Sequence, residues 1–243
     1  MKMQLFFFYL TIAITTISFQ SCDDGLFSDC RKSNGADASL ELDLAGVSSF
    51  DFALSGNVIV TRGTSQQIIV SGPEDVIRNI NTNVSNGEWD ITTRECFRKY
   101  DPVTVTMQIT DLSNVSLSGA GNITIMDTFA TGSSRVAIAG SGNVIWKSIS
   151  EQIEAIIGGS GNITMIGSAD QLFGTVAGSG NILGRDLPVK DVDITIAGSG
   201  DAEVMVSESL KVRIAGSGSV YYYGDPDSIN QNISGSGSVI KRD

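Results

Sequence analysis

The sequence predicts an all-β protein whose main part is a parallel β-helix, also called a β-solenoid. A short glycine motif returns seven times between residues 118 and 238, and aliphatic residues flank each copy with the alternation of a β-strand. Successive copies begin 21, 19, 19, 20, 18 and 19 residues apart. A repeat of this length indicates coils that cover their apolar faces by stacking on one another.

The repeated motif is Gly-Ser-Gly followed by Asn, Asp or Ser, with Ala replacing Ser in the first copy. We expect each copy to form the corner between two strands, where a sharp bend under pressure from neighbouring coils favours residues without a Cβ or with positive φ. We also expect the Ser and Asn side chains to form hydrogen-bonded ladders from coil to coil. The predicted corner glycines are Gly119, Gly121, Gly140, Gly142, Gly159, Gly161, Gly178, Gly180, Gly198, Gly200, Gly216, Gly218, Gly235 and Gly237.

The strand before each corner has one apolar and one polar face. The residue two positions before the first glycine is always aliphatic, as in Ile157 and Ile196, whereas intervening residues such as Thr195 are polar or small. A second short strand follows each corner. Each coil of 18 to 21 residues is therefore predicted to contain strand, corner, strand and a less regular polar link. These predicted inward positions are Leu117, Ile138, Ile157, Val176, Ile196, Ile214 and Ile233.

The N-terminus has the features of an export signal. Lys2 precedes an apolar run over residues 5–19, and Ser21 precedes Cys22 as in a lipoprotein cleavage site. We predict a signal peptide over residues 1–21, a lipid attached to Cys22, a tether over residues 22–38 and a solenoid domain over residues 39–243. A plain signal peptide and an uncleaved anchor remain alternatives. The predicted location is the outer membrane, with the periplasmic and the cell-surface side both open.

Irregular β coils are expected in the N-terminal third of the domain. Asn86-Gly87 is a strong hairpin signal, and the stretch from Val103 to Ile109 alternates cleanly between apolar and polar residues. The sequence Ser55-Gly56-Asn57 resembles a worn copy of the corner motif. We therefore expect this region to form divergent first coils of the same solenoid.

The composition excludes several functions. The chain has 16 basic and 27 acidic residues, so nucleic acid is not an expected partner. It contains no histidine, which excludes Ser/His/Asp triads and histidine-ligated metals, and we predict no catalytic residue, cofactor or metal. With Cys22 assigned to lipid, Cys30 and Cys96 are predicted to form a disulfide in an oxidising compartment, with two free thiols as the alternative.

Residues 39–243 resemble the head GIN domain family of Bacteroidetes, whose members are named as auto-transporter adhesins. The resemblance rests on the Cys30 segment, the strands between Val47 and Val60, the stretches 87–91 and 96–100, and the serial Gly-Ser-Gly-Asn motifs. It implies a right-handed parallel β-helix in an exported lipoprotein, with adhesion as its function. It supplies no binding or catalytic residue. Asp23 and Asp24 after Cys22 also resemble the signals that send lipoproteins of this phylum to the outer membrane surface.

The leading hypothesis is an adhesin or binding module, tethered to the membrane by lipid, whose partner is a glycan or an envelope protein. An envelope scaffold without a specific ligand is the alternative. A polysaccharide-active enzyme is a third, because Asp186, Asp191 and Asp193 lie near Arg185 and Lys190 in sequence. Tyr221, Tyr222 and Tyr223 could stack on a sugar, but the simpler interpretation is that they cap the core or alternate into and out of it. The oligomeric state is open.

Overall fold

The computed structural model describes residues 30–243, so the predicted signal peptide and Cys22 lie outside the described residues. Within that range the chain forms 19 strands and one short helix, α1 (Glu74–Ile77). No helix of this part of the chain is long and apolar enough to cross a membrane. The strands are β1 (Arg31–Lys32), β2 (Asp37–Leu42), β3 (Ser49–Phe52), β4 (Ser55–Arg62), β5 (Gln67–Pro73), β6 (Val84–Ser85), β7 (Glu88–Ile91), β8 (Phe97–Lys99), β9 (Val103–Ile109), β10 (Asn114–Leu117), β11 (Ala120–Ile125), β12 (Phe129–Ile138), β13 (Asn143–Ile157), β14 (Asn162–Val176), β15 (Asn181–Gly198), β16 (Ala202–Gly216), β17 (Ser219–Tyr223), β18 (Ser228–Gly235) and β19 (Ser238–Lys241).

The strands stack in parallel as the coils of a β-solenoid, as the sequence predicts. The strands before the corners form one side, in the order β7, β3, β10, the later halves of β12 to β16, and β18. The strands after the corners form a second side, in the order β9, β4, β11, the earlier halves of β13 to β16, β17 and β19. Equivalent residues of successive coils therefore lie one above another.

The predicted inside and outside positions are correct for the regular coils. Ile196 is fully buried and lies in register between Val176 and Ile214, which are also buried. Its neighbour Thr195 points outward, in register with Thr175 and Arg213. The solenoid core is thus a stack of aliphatic side chains, and this burial is the main favourable contribution to the fold.

The third side of the coil is more regular than the sequence predicts. Instead of irregular links, β13 to β16 run without interruption for 15 to 18 residues from the second side to the first side of the next coil. Polar side chains point into the core here, since Ser134, Ser148 and Ser150 are buried. They are satisfied by one another: the Ser134 and Ser150 hydroxyl oxygens are 3.2 Å apart, and Ser148 hydrogen-bonds to Ser150. A buried polar position is compatible with a continuous strand when its partners are also inside.

The first coils do not stack in chain order. β3 and β4 form the second coil of the stack, whereas the later strands β7 and β9 form the terminal coil outside them. The chain then returns across that pair, so β10 and β11 lie on the other side of β3 and β4. The predicted hairpin is confirmed, because Asn86 and Gly87 with φ of 53° and 80° join the antiparallel strands β6 and β7.

A cap covers the terminal coil. β5 pairs antiparallel with β9, and β2 pairs antiparallel with β5. Ile77 of α1 is buried in the same core. At this end of the solenoid, which we call the capped end, the terminal strand β9 of the second side is therefore covered by the antiparallel strand β5.

The described residues begin within the stretch predicted to be the tether. Cys30 forms a disulfide with Cys96, and β1 pairs with β8 beside it. Ser33 donates a hydrogen bond to Oδ1 of Asp75 at 2.6 Å, which ties the segment to α1. The chain therefore enters the solenoid at the capped end.

The corners are glycine-rich mainly because neighbouring coils approach closely. A Cβ on Gly200 would lie 2.0 Å from the carbonyl oxygen of Gly180 in the next coil. The expected positive φ is found at the first glycine of only the last three corners, for example Gly198 with φ of 154°. The predicted asparagine ladder is present, with Asn143 donating to Asn122 at 3.1 Å and Asn181 to Asn162 at 2.8 Å. The worn motif belongs to it, since Asn122 donates to Asn57.

Candidate binding groove

A groove of about 660 Å³ crosses the third side of the solenoid over β12 to β16. Two rows of outward-facing residues border it. On each strand, the residue that lies in sequence between the two rows forms the floor. Five strands at about 4.8 Å spacing give it a length of roughly 19 Å along the solenoid axis. The small-residue row consists of Ala130, Ile149, Ser168 and Pro188, the charged row of Gly132, Glu151, Asp170 and Lys190, and the floor of Thr131, Ser150, Ala169 and Val189, and Ser207 of β16 lines the end of the groove.

The concave shape follows from the continuous strands. Ile149 and Glu151 point outward, while Ser150 between them points inward and is held by the buried serine hydroxyls. The strand register repeats this arrangement from coil to coil, because Ser150 pairs with Ala169 and Ala169 with Val189. Each of the strands β12 to β15 thus contributes one residue to each row and one to the floor.

The charged row is acidic with one lysine. Nζ of Lys190 lies 2.7 Å from Oδ1 of Asp170, and both side chains are half exposed. This hydrogen bond, together with the charges of Asp170, Glu208 and Asp191, raises the pKa of Lys190, so the lysine stays protonated. Glu151 lines the same row, and no ion pair within residues 30–243 is formed by its carboxylate. The row therefore presents net negative charge.

The small-residue row is apolar at its centre. Ile149 is 54% exposed, which is the largest exposure of any large hydrophobic residue in the described chain. Pro188 lies further along the same row. An exposed aliphatic side chain opposite a carboxylate is a combination that can hold an amphipathic ligand.

The aspartates considered for catalysis are not brought together as one group. Asp193 accepts a hydrogen bond from Arg213 at 2.8 Å and lies 3.5 Å from Lys211. Asp186 pairs in register with Ile166, on the far side of the small-residue row, whereas Asp191 lies beside the charged row. Within residues 30–243 no three Cys, Asp or Glu side chains form a group that could hold a metal.

The tyrosines alternate, as the simpler interpretation expects. Tyr222 packs against the core, and the two on either side of it point outward. The guanidinium of Arg185 lies 4.6 Å from the ring centre of Tyr223, and that of Arg242 lies 4.8 Å from the ring centre of Tyr221. One face of each outward ring is thus already covered by a cation.

Sequence reasoning missed most of this groove. Its residues lie in the links that were expected to be irregular, and neither Ile149, Glu151 nor Asp170 stood out individually. A signal is present once the links are aligned by register: Ser150-Glu151-Gln152, Ala169-Asp170-Gln171 and Val189-Lys190-Asp191 each place a charged residue after a small or aliphatic one.

The described residues form a capped parallel β-solenoid with an open groove along its third side. The sequence model of the family described as "putative auto-transporter adhesin, head GIN domain" matches residues 48–226. The chain therefore belongs to this family, which is named for adhesion and not for an enzymatic activity. Family membership indicates an extracellular or envelope-associated protein.

Solved structures share the fold. A Bacteroides fragilis protein described as a "putative adhesin" is 18% identical with a TM-score of 0.78, over 87% of this chain and 100% of that one. A Parabacteroides distasonis protein described as a "putative lipid binding protein" is 22% identical with a TM-score of 0.73, over 88% and 99%. Another "putative adhesin", from Parabacteroides merdae, is 18% identical with a TM-score of 0.68, over 89% and 100%. No curated protein matches the sequence.

Proposed function

We propose that the protein is an exported, lipid-anchored binding module that holds an extended polypeptide segment of an envelope protein in the axial groove. The observation that carries this proposal is the groove with unlike edges, one small and apolar, the other acidic. Adhesion in the family name supports a binding role outside the cytoplasm. The segment from Lys2 to Cys22 supports lipid anchoring in the outer membrane.

The shape of the groove favours an extended ligand. It runs across the strands for roughly 19 Å, and β12 to β15 repeat the arrangement of two edges and a floor at the strand spacing. An extended chain can contact each repeat in turn, whereas a compact ligand would use only one or two. Solenoids commonly bind partners through such repeated surfaces.

The side chains favour a polypeptide over a neutral glycan. No aromatic ring lines the groove, and one face of the outward rings of Tyr221 and Tyr223 is already covered by an arginine. Glu151 and Asp170 suit lysine or arginine side chains, and the exposed Ile149 suits an aliphatic one. Because the acidic edge is exposed, its contribution should act mainly on the association rate and should weaken with salt.

The test is a parallel screen of the purified protein against arrays of envelope-protein peptides and of glycans. We expect binding to peptides that contain basic and aliphatic residues. Glu151→Lys and Ile149→Glu should reduce this binding about tenfold or more. Glu88→Lys is the matched control, because it makes the same charge change on an exposed position of the terminal coil.

Three other results of this screen would contradict the proposal in different ways. Glycan signals that disappear in Glu151→Lys and persist in Glu88→Lys would keep the groove as a binding site but refute the polypeptide assignment. Absence of binding on both arrays would favour the scaffold alternative. Peptide binding that is equal in wild type and both groove variants would place the binding surface elsewhere.

A further inference from the structure

The end of the solenoid opposite the cap is open. β18 pairs with β16, β19 pairs with β17, and neither has a second strand partner within residues 30–243. Every residue of β18 is exposed, whereas the equivalent inward residues of β16 are buried. Ile229 and Ile233, which lie in register with Leu210 and Ile214, are 45% and 37% exposed. An exposed strand edge with an apolar face is a template for pairing with another strand.

The first seven of the eight residues of β18 form a palindrome. Residues 228–234 are Ser-Ile-Asn-Gln-Asn-Ile-Ser, with Gln231 at the centre. In an antiparallel pair of two such strands centred on Gln231, each residue faces the same residue type: Ser228 faces Ser234, Ile229 faces Ile233, and Asn230 faces Asn232 of the other copy. A two-fold interface requires this kind of self-complementarity.

Gln231 also suits a position on the two-fold axis. The regular coils have Val or another small or aliphatic residue at this inward position, and Gln231 lies in register with the buried Val212. Two glutamine amides opposite each other can satisfy one donor and one acceptor of each partner. A lone inward amide at the end of a hydrophobic stack has no such partner from its own coil.

Charge does not oppose association at this edge. The chain carries a formal charge of −11, yet residues 228–240 contain no charged side chain. β2, the edge strand of the cap, carries Asp37 and Glu41. Like-charged copies would repel through most of their surface, including the cap, but not through β18. β18 also contains no inward charge and no proline, which are features by which proteins usually prevent edge pairing.

We propose that β18 pairs with β18 of a second copy of this chain, antiparallel and across a two-fold axis through Gln231. The two apolar stacks then continue through the junction, with the isoleucines of one copy covering those of the other. Head-to-tail stacking is disfavoured, because the cap covers the other end with antiparallel strands and an acidic edge. This proposal is independent of the groove.

The first experiment is disulfide cross-linking of the full-length protein in the membranes of the expressing cells. Across the axis, residue 231 faces itself with Cα atoms about 4.5 to 5.5 Å apart, within disulfide range. Residue 228 lies about 20 Å from its own copy, six residues along the strand. Gln231→Cys should therefore form a covalent dimer under mild oxidation, at least about tenfold more than the matched control Ser228→Cys. Equal cross-linking of the two variants, or no dimer with Gln231→Cys, would overturn the proposal.

The second experiment tests the register with exposed positions that leave the core unchanged. In the Gln231→Cys background, Asn230→Lys with Asn232→Lys places like charges opposite each other twice and should reduce the dimer about tenfold. Asn230→Lys with Asn232→Asp places a lysine opposite an aspartate twice and should keep it. Loss of the dimer in both variants, or in neither, would refute this antiparallel register.

Discussion

Replacing Ile196 by aspartate should destabilise the solenoid far more than the same change at Thr195. Ile196 is fully buried between Val176 and Ile214. A carboxyl group there would stay protonated, and at pH 7 this costs roughly 4 kcal/mol relative to an ordinary pKa of about 3.9. Loss of the isoleucine surface adds about 2 kcal/mol. The sum of about 6 kcal/mol is comparable to the whole stability of many domains.

The measurement is urea unfolding of the purified protein followed by circular dichroism. With an m-value of about 2 to 3 kcal/mol/M, the midpoint of Ile196→Asp should be lower by about 2 to 3 M. The introduced carboxyl has a raised pKa in the folded state, so the destabilisation grows as the pH rises above about 3.9 and shrinks to about 2 kcal/mol below it. If the variant does not fold, Ile196→Ala at about 2 to 5 kcal/mol and Thr195→Ala give the same comparison.

Thr195→Asp is the matched control, because Thr195 faces outward on the same strand beside Arg213. Its free energy of unfolding should change by no more than about 0.5 kcal/mol. If Thr195→Asp destabilises as much as Ile196→Asp, the alternation of inward and outward residues is wrong and the stacked-coil reasoning fails with it.

Four further outcomes are expected. Cys22→Ala should release the protein from the membrane fraction and abolish fatty acid labelling; wild-type protein without an acyl group would refute the anchor. Gly200→Val should be strongly destabilising because its Cβ would meet a carbonyl oxygen at 2.0 Å, whereas Gly132→Val, with nothing within 4 Å, should be tolerated in the same thermal unfolding assay. Cys96→Ser should lower stability by up to about 4 kcal/mol, since the disulfide closes a loop with a sequence separation of 66, and an unchanged urea midpoint would contradict this. The hydrogen bond from the Ser33 hydroxyl holds the pKa of Asp75 below its usual 3.8, so the stability difference between wild type and Asp75→Asn should be present at neutral pH and disappear as the pH falls below 3.8 through the folded-state pKa.

The repeated part of the fold could be predicted because one local pattern recurs. Ile196 and its equivalents alternate with outward residues at strand period, and the corner motif fixes where each coil turns. The ladder from Asn57 to Asn181 also follows from stacking identical positions. Local pattern and tertiary contact coincide here because each coil touches only its neighbours.

The rest depends on contacts that the pattern does not encode. The return of the chain over β3 and β4 is decided by which strands pair at long range, and residues 88–109 have no signal for lying outside residues 49–62. The groove depends on Ser150 pointing inward, which is tolerable only because Ser134 and Ser148 are within reach. From sequence alone, three serines in polar links predict solvent exposure.

The solenoid has a direction. The chain enters beside Cys96 at the capped end, and β18 is the last of nine strands on the first side within residues 30–243, so about eight strand spacings or 38 Å separate the two ends. If a lipid at Cys22 holds the capped end near one bilayer, the open strand points away from it. Two copies joined through β18 would then bridge facing bilayers instead of neighbours in the same one. Vesicles carrying the acylated protein should clump, and vesicles carrying Asn230→Lys with Asn232→Lys should stay dispersed.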